Sequence, residues 1–140
     1  MDKIQWSEDL SFGIGLIDQQ HKEWMKHYNG VVDAVSSQKG AAQVAKTLNY
    51  LLDYSEIHFL TEEKSMLENK YPYYEEHKEQ HDKLCSTISS LVDEYREDGP
   101  TNILSDSIEV LLNNWLSKHI MEIDKIFIKF VRENKIEISE

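Results

Sequence analysis

The chain has 140 residues, which suits one domain with a single buried core. It carries 15 lysines and arginines against 26 aspartates and glutamates, so its formal net charge is −11, and this sign excludes nucleic acid and anionic membrane as partners. No run approaches the roughly 20 apolar residues of a transmembrane helix, the N-terminus lacks the apolar stretch of a signal peptide, and the lone Cys85 cannot form an intramolecular disulfide. We therefore expect a cytoplasmic protein in which Cys85 packs as a small apolar residue.

The first predicted helix follows an irregular N-terminal arm and runs from about residue 18 to 37, ending before Gly40. Its inward face is spaced by four and three residues and carries Ile17, His21, Trp24 and Tyr28. His27 lies off this face, so we expect it to be a solvated surface residue.

The second predicted helix spans about residues 41 to 69. Its inward stripe alternates steps of four and three residues and consists of Val44, Leu48, Leu51, Ser55, His58 and Glu62. Glu63 lies beside this stripe and is expected to be a solvated carboxylate. Such a stripe is typical of the seam of a helical bundle.

Two further helices are predicted at about residues 72–98, with Pro72 in the first turn, and 102–133. The stripe of the third helix consists of Tyr74, His77, His81, Leu84, Ile88, Leu91 and Tyr95. The stripe of the fourth consists of Leu104, Ile108, Leu111, Trp115 and His119. Four helices joined by short loops pack antiparallel to their neighbours, so the sequence predicts an all-α, up-down-up-down four-helix bundle.

The histidines carry the chemical information, because five of the six lie on inward stripes. A buried polar group without a partner costs about 1–3 kcal/mol, so five unpaired imidazoles could consume most of a typical stability of about 5–15 kcal/mol. His58 and Glu62, like His77 and His81, are four residues apart and project side by side from a helix. A shared metal site is therefore predicted.

The fourth helix leaves its carboxylate ligand ambiguous. Asp124 lies five residues beyond His119, and an ideal helix would place it about 140° around the axis. Glu122, three residues beyond His119, is better placed on an ideal helix. A single π-type turn, which occurs preferentially at functional sites, would return Asp124 to the face of His119. Geometry alone leaves both residues in competition.

Over nearly its whole length the chain resembles the hemerythrin family in its single-domain bacterial form. The resembling segments, in family order, are Ile17-Asp18-Gln19-Gln20-His21, His58-Phe59-Leu60-Thr61-Glu62, His77-Lys78-Glu79-Gln80-His81 and Trp115-Leu116-Ser117-Lys118-His119 through Asp124. The family pattern has a histidine, four intervening residues and a bridging aspartate, so the resemblance favours Asp124 over Glu122. It also implies one domain over residues 1–140.

The resemblance implies two iron ions per chain, joined by an oxo or hydroxo bridge. Their ligands would be His77, His81 and His119 on one iron, His21 and His58 on the other, and Glu62 and Asp124 as bridges. Five histidines and two bridging carboxylates without a thiolate suit iron better than a structural zinc site. With the oxygen bridge they leave one position open, on the iron with fewer histidines. The implied activity is reversible dioxygen binding for carriage, storage or delivery, and Leu116 resembles the pocket leucine of the family.

Two other functions use the same centre. It could sense oxygen, nitric oxide or redox state, or it could act as a di-iron oxidase or peroxidase. Such enzymes use carboxylate-rich sites with Glu-x-x-His pairs, and the sequence contains no such pair. We therefore expect a binding protein rather than an enzyme, and the sequence identifies no protein partner for oxygen delivery.

Overall fold

The computed structural model describes residues 5–37, 40–99, 102–115, 119 and 122–138, with the backbone alone at residues 98, 102–105, 109 and 111. All regular structure in these residues is helical. A short 3₁₀ helix, Glu8–Leu10, is followed by α1 (Gly15–Ser36), α2 (Ala41–Glu68), α3 (Tyr74–Asp98), α4 (Asn102–Trp115) and α5 (Lys125–Glu133). The predicted all-α bundle is confirmed.

Helices that follow one another in the sequence pack together, α1 on α2, α2 on α3 and α3 on α4. This is the arrangement expected of an up-down-up-down bundle with short connections. The predicted fourth helix contains both α4 and α5, and between them His119 and residues 122–124 have π-helical rather than α-helical geometry. These residues therefore have the π-type geometry that the sequence offered as the way for Asp124 to reach the face of His119.

The predicted inward stripes are buried along α1, α2 and α3, apart from Tyr74, which is half-buried. On α4, Ile108 is buried and Trp115 is half-buried, whereas the side chains of Leu104 and Leu111 lie outside those described. The prediction for His27 was wrong in part, because its ring is half-buried and tilted against Tyr54 at a centroid distance of 5.3 Å.

Two helix starts differ from prediction. The first helix begins at Gly15, and Asp18 in its first turn accepts hydrogen bonds from the hydroxyl of Ser11 and the backbone N–H of Phe12. These bonds tie the N-terminal arm, residues 5–14, to α1. The third helix begins at Tyr74, because residues 72–73 form a separate turn in which the backbone N–H of Tyr74 donates to the carbonyl of Tyr71.

The core consists of two apolar clusters. The larger is built around Trp24, Leu51 and Ile88, and the smaller around Ile17 and Phe127. Along each chain segment the predicted ligands lie between residues of the two clusters, so they form a polar layer between two apolar ones. Among the described helices, none combines the length and the apolar character needed to cross a membrane.

Candidate metal centre

The structure brings all seven predicted ligand side chains together in the polar layer. Helix α1 contributes one, α2 and α3 contribute two each, and the segment from α4 to α5 contributes two. None has more than 2% of its surface exposed. The seven are His21, His58, Glu62, His77, His81, His119 and Asp124.

Asp124 lies between two groups of histidines. Its Oδ1 is 2.9 Å from Nε2 of His77 and 2.9 Å from Nε2 of His119. Its Oδ2 is 3.0 Å from Nε2 of His21 and 3.9 Å from Nε2 of His58. Each oxygen of this carboxylate therefore faces a different group, which is the placement that a bridging ligand requires.

The local backbone explains why Asp124, and not Glu122, reaches the centre. His119 and residues 122–124 are π-helical, and a wider turn returns the fifth residue to the face of the first. Asp124 is consequently fully buried beside His119, whereas Glu122 is exposed. The two candidates that helix geometry left in competition are thus separated.

Glu62 also contacts both groups. Its Oε1 is 3.3 Å from Nε2 of His58 and 3.4 Å from Nε2 of His81, and it is 3.9 Å from Nε2 of His77. His81 and His119 approach each other at 3.2 Å between their Nε2 atoms. The five Nε2 atoms and the two carboxylates therefore converge on a common volume.

The separations are compatible with metal coordination. At ligand distances of about 2.1 Å, neighbouring donor atoms of an octahedral site lie about 3.0 Å apart, close to most of the contacts around Asp124 and Glu62. Within the described structure, Nε2 of His77, Oδ1 of Asp124 and both oxygens of Glu62 have no hydrogen-bond partner despite complete burial. Cations in this volume would satisfy these atoms.

His58 and His119 are neutral at physiological pH. Burial, together with the charge of His21, lowers the pKa of His58 to about 3 even though Asp124 opposes the shift. Burial likewise lowers the pKa of His119 to about 4, against the opposing effect of Asp124. Neutral imidazole is the form that binds metal, so these residues are ready to coordinate without losing a proton.

The carboxylates are shifted in opposite directions. Burial would raise the pKa of Asp124, but the charge and hydrogen bonding of His119, with contributions from His21 and His58, hold it well below its ordinary value. Burial and the nearby charge of Asp124 raise the pKa of Glu62 well above its ordinary value. Two adjacent buried carboxylates without a countercharge are costly, and a bound cation would remove that cost.

A chain of hydrogen bonds outside the seven ligands orients His58. The hydroxyl of Thr61 donates to the carbonyl of Ile57, so it accepts from the Nε2 amide group of Gln20 at 3.1 Å. The carbonyl oxygen of Gln20 must then face His58, whose Nδ1–H donates to it at 2.8 Å. This chain leaves the lone pair of His58 Nε2 directed toward the centre.

His81 is oriented by Glu63, which the sequence analysis had assigned to the solvated surface. The Nδ1 of His81 lies 2.8 Å from Oε2 of Glu63, and the glutamate side chain is only 12% exposed. The prediction for Glu63 was therefore wrong. The helical period places Glu62 on the inward stripe, but it does not predict that Glu63, the next residue, contacts the third helix.

Aromatic rings line the histidines. Phe59 stacks on His81 with centroids 3.8 Å apart, and Trp115 stacks on His119 at 4.4 Å. Phe12, from the N-terminal arm, meets His21 edge-on at 5.6 Å. Leu116, the predicted pocket residue, lies outside the described residues. Aromatic rings therefore cover part of the described wall of the centre, beside the polar contacts of His58 and His81.

Comparison with known proteins places this arrangement in context. Residues 13–131 match the hemerythrin HHE cation binding domain. The chain is 32% identical to bacteriohemerythrins of Pseudomonas aeruginosa, over 99% of this chain and 88% of that one, and of Stenotrophomonas maltophilia, over 91% and 80%. A solved wild-type hemerythrin structure superimposes with a TM-score of 0.78 and 26% identity, covering 90% of this chain and 95% of that one.

Proposed function

The chain belongs to the hemerythrin family, and on this premise we propose that it binds dioxygen reversibly at a non-haem di-iron centre. The observation that carries the proposal is the position of Asp124, whose two oxygens face different groups of histidines. A carboxylate placed in this way can bridge two metal ions. The proposed role is oxygen carriage, storage or delivery rather than catalysis, and a cytoplasmic location stays a prediction.

The difference between the two groups supports a site with one vacancy. His77, His81 and His119 lie on one side of Asp124, and His21 and His58 lie on the other. If both carboxylates and one oxygen bridge two six-coordinate irons, a single position stays open on the side with two histidines. We assign dioxygen entry to the side of His21.

The donor set supports iron. Imidazole suits several first-row metals, and carboxylates favour harder ions, whereas structural zinc is usually tetrahedral and cysteine-rich. When bound, a di-iron pair can pass two electrons to dioxygen and recover them on its release. The residues of the chain contribute neutral imidazoles, two buried carboxylates and outer hydrogen bonds that fix the ring orientations.

The N-terminal arm supports exclusion of water from the proposed open side. Phe12 lies edge-on against His21, and the arm is held there because Asp18 accepts from Ser11 and from the backbone N–H of Phe12. His21 is fully buried. A dry site matters because water and protons promote irreversible oxidation of the iron.

The direct test is to reduce the purified protein without air, assay iron per chain and follow the visible spectrum through repeated admission and removal of dioxygen. We expect two irons per chain and a charge-transfer band that appears with oxygen and fades on degassing. His58→Ala should lose this band. His27→Ala is the matched control, because His27 is away from the centre, against Tyr54.

The outcomes separate the candidate functions. A reversible band that depends on His58 but not on His27 supports an oxygen carrier. Irreversible conversion to the di-ferric form on the first exposure would contradict reversible binding and would favour redox sensing or an oxidase. Binding of fewer than two irons by a folded chain would contradict the di-iron centre itself.

A further inference from the structure

The outward face of α2 carries exposed apolar side chains that the metal centre does not use. Tyr50, Ile57, Leu60 and Leu67 are 47%, 52%, 65% and 60% exposed. They are four of the seven large apolar side chains that are prominently exposed among the described residues. Single exposed apolar residues are normal on protein surfaces, but several on one face of a helix can form an interaction site.

The spacing of this row is that of a helix-pairing seam. With two intervening charged residues, its members follow one another in steps of three and four and fall within about 100° of the helix circumference. We call this the outer seam, and it consists of Tyr50, Asp53, Ile57, Leu60, Lys64 and Leu67. The inward stripe with His58 and Glu62 lies on the other side of the same helix.

We propose that the outer seam is a dimer interface, at which α2 of one copy packs antiparallel against α2 of a second copy. The exposure of the seam means that no element within the described ranges covers it. A row with heptad spacing is suited to another helix with the same spacing. A second copy supplies such a helix without requiring a different protein.

Antiparallel pairing makes the seam complementary to itself. A two-fold axis between residues 58 and 59 sets Ile57 opposite Leu60 of the second copy, and Tyr50 opposite Leu67. The same axis sets Asp53 opposite Lys64, twice in each dimer. An isologous interface of this kind closes and cannot extend into a filament.

Charge selects the antiparallel orientation. In a parallel pair Asp53 would face Asp53 and Lys64 would face Lys64, so like charges would meet at both positions. In the antiparallel pair every charge on the seam meets its opposite. Asp53 and Lys64 are 11 residues apart on one helix, about 16 Å along its axis, so they cannot pair with each other within one chain.

The size and charge of the surface indicate a weak dimer. The seam extends about 26 Å along α2, which is short for a permanent interface, so we expect a dissociation constant in the micromolar range. Each chain carries a net charge of −11, and repulsion between two such chains is screened beyond about 8 Å at physiological ionic strength. Association should therefore be measured at that ionic strength.

The first test is sedimentation velocity of the iron-loaded full chain over a concentration series at about 0.15 M salt. We expect twice the chain mass at high concentration, and Leu60→Asp should raise the dissociation constant by at least about tenfold. Val110→Asp is the matched control, because Val110 is 56% exposed on α4. Circular dichroism checks that both variants fold.

The second test addresses the register. Asp53→Lys alone sets lysine against Lys64, and Lys64→Asp alone sets aspartate against Asp53, so each variant should dimerise more weakly than the wild type. An equimolar mixture of the two should form a heterodimer of near wild-type affinity, because every facing pair is again opposite in charge. The weaker association of each single variant is the result specific to antiparallel pairing, because a parallel wild-type pair would already have like charges facing at both positions.

The proposal is overturned if the wild type is monomeric throughout the series, or if Leu60→Asp and Val110→Asp weaken the dimer equally. It is also overturned if mixing the two charge-reversed chains gives no gain over either alone. Loss of the dimer in Leu60→Asp, weaker association of each charge-reversed variant than of the wild type, and recovery in the mixture together support it. Neither result depends on oxygen binding. Failure of the dimer proposal would therefore not contradict the proposed oxygen binding, and the reverse also holds.

Discussion

The Nδ1–H of His81 donates a hydrogen bond to Oε2 of Glu63 at 2.8 Å. Because an ionised carboxylate only accepts, this bond directs the lone pair of His81 Nε2 toward the centre and makes the imidazole a stronger donor to a metal. His58 has a neutral amide, that of Gln20, in the equivalent place. The two histidines, on opposite sides of Asp124, are thus oriented by acceptors of different charge.

Replacing Glu63 should weaken metal binding without removing a ligand. We expect Glu63→Ala to lower the affinity for ferrous iron by about 10–100-fold, the range found when a partner behind a metal-binding histidine is removed. The iron affinity of Glu63→Gln should lie between those of the wild type and Glu63→Ala, because an amide oxygen can still accept a hydrogen bond from His81. Anaerobic competition against a coloured chelator measures the change.

The control for this prediction is Glu56→Ala, since Glu56 is an exposed carboxylate on the same helix. Both variants lose one negative charge, so the comparison isolates the hydrogen bond to His81 from the general field of an acidic protein. Equal iron affinity in the two variants would show that Glu63 acts only through its charge and would refute its positioning role.

Thr61 fixes the orientation of the Gln20 amide, and removing its hydroxyl should release that constraint. Thr61→Val keeps the shape of the side chain but leaves the amide N–H of Gln20 without its buried acceptor. We expect a loss of about 1–2 kcal/mol in the free energy of unfolding of the metal-free protein, measured in urea. Iron affinity should also fall, because Gln20 no longer holds a single orientation toward His58.

Thr47→Val provides a matched comparison on the same helix. Thr47 also donates its hydroxyl to a preceding carbonyl, that of Val44, and it lies in the part of α2 away from the centre. The substitution should leave iron affinity unchanged. If Thr47→Val and Thr61→Val lower iron affinity alike, the effect belongs to the helix and not to the orientation of Gln20.

The helical period accounts for most of what could be predicted from the sequence. Residues at steps of three and four share one helix face, so His58 and Glu62 could be placed together, as could His77 and His81, without knowledge of their neighbours. Asp124 required more, because only a wider turn brings a fifth residue back to the face of His119. The sequence is compatible with that turn, but the turn itself is seen only in the backbone geometry of the structure.

The outer contacts could not be predicted in the same way. Glu63 follows Glu62 directly, about 100° around the helix, and it reaches His81 only because α3 packs at a particular distance and rotation. Gln20 precedes His21 in a similar position off the stripe and contacts His58 across the α1–α2 interface. Contacts of this type depend on packing between helices, which periodicity does not encode.

Cys85 should be an unreactive thiol. Burial, with the nearby charges of Glu56 and Asp82, raises the pKa of Cys85 to about 11, from an ordinary value of 9.0. The thiolate is the nucleophile, so the thiolate fraction near pH 8 should be about a hundredfold below that of an ordinary cysteine. We expect alkylation by iodoacetamide to be slower by at least that factor and to accelerate with pH up to about 11.

The same reagent on urea-unfolded protein gives the internal control for Cys85, because unfolding removes both burial and the neighbouring charges. The rate should then rise to that of a model thiol, with an ordinary pH dependence. A native thiol that reacts as fast as the unfolded one at pH 8 would contradict the shift and would suggest that this helix face opens readily.

Glu62 should lower the stability of the metal-free protein while supporting metal binding. It is fully buried beside Asp124, and burial together with the charge of Asp124 raises its pKa well above the ordinary value of 4.5. Glu62→Gln keeps the size of the side chain and removes the charge. We therefore expect the metal-free variant to be more stable than the metal-free wild type, by about 1–2 kcal/mol near pH 8 in urea unfolding.

The raised pKa of Glu62 determines how the stability difference between Glu62→Gln and the wild type changes with pH. A carboxyl whose pKa is raised on folding contributes stability that is complete below its unfolded pKa and is lost as the pH rises through the folded value. The advantage of Glu62→Gln should therefore be small near pH 4.5 and grow toward pH 8. Glu68→Gln, at an exposed position on the same helix, should show no such growth.

Iron should reverse the order of stability. Metal bound to the native state adds binding free energy to the wild type, whereas Glu62→Gln lacks a proposed bridging carboxylate and gains less. The two proteins should thus exchange rank between metal-free and iron-loaded unfolding experiments. A metal-free variant that is less stable than the wild type at pH 8 would mean that Glu62 stabilises the fold by itself, and its burial beside Asp124 could then not be explained by metal binding alone.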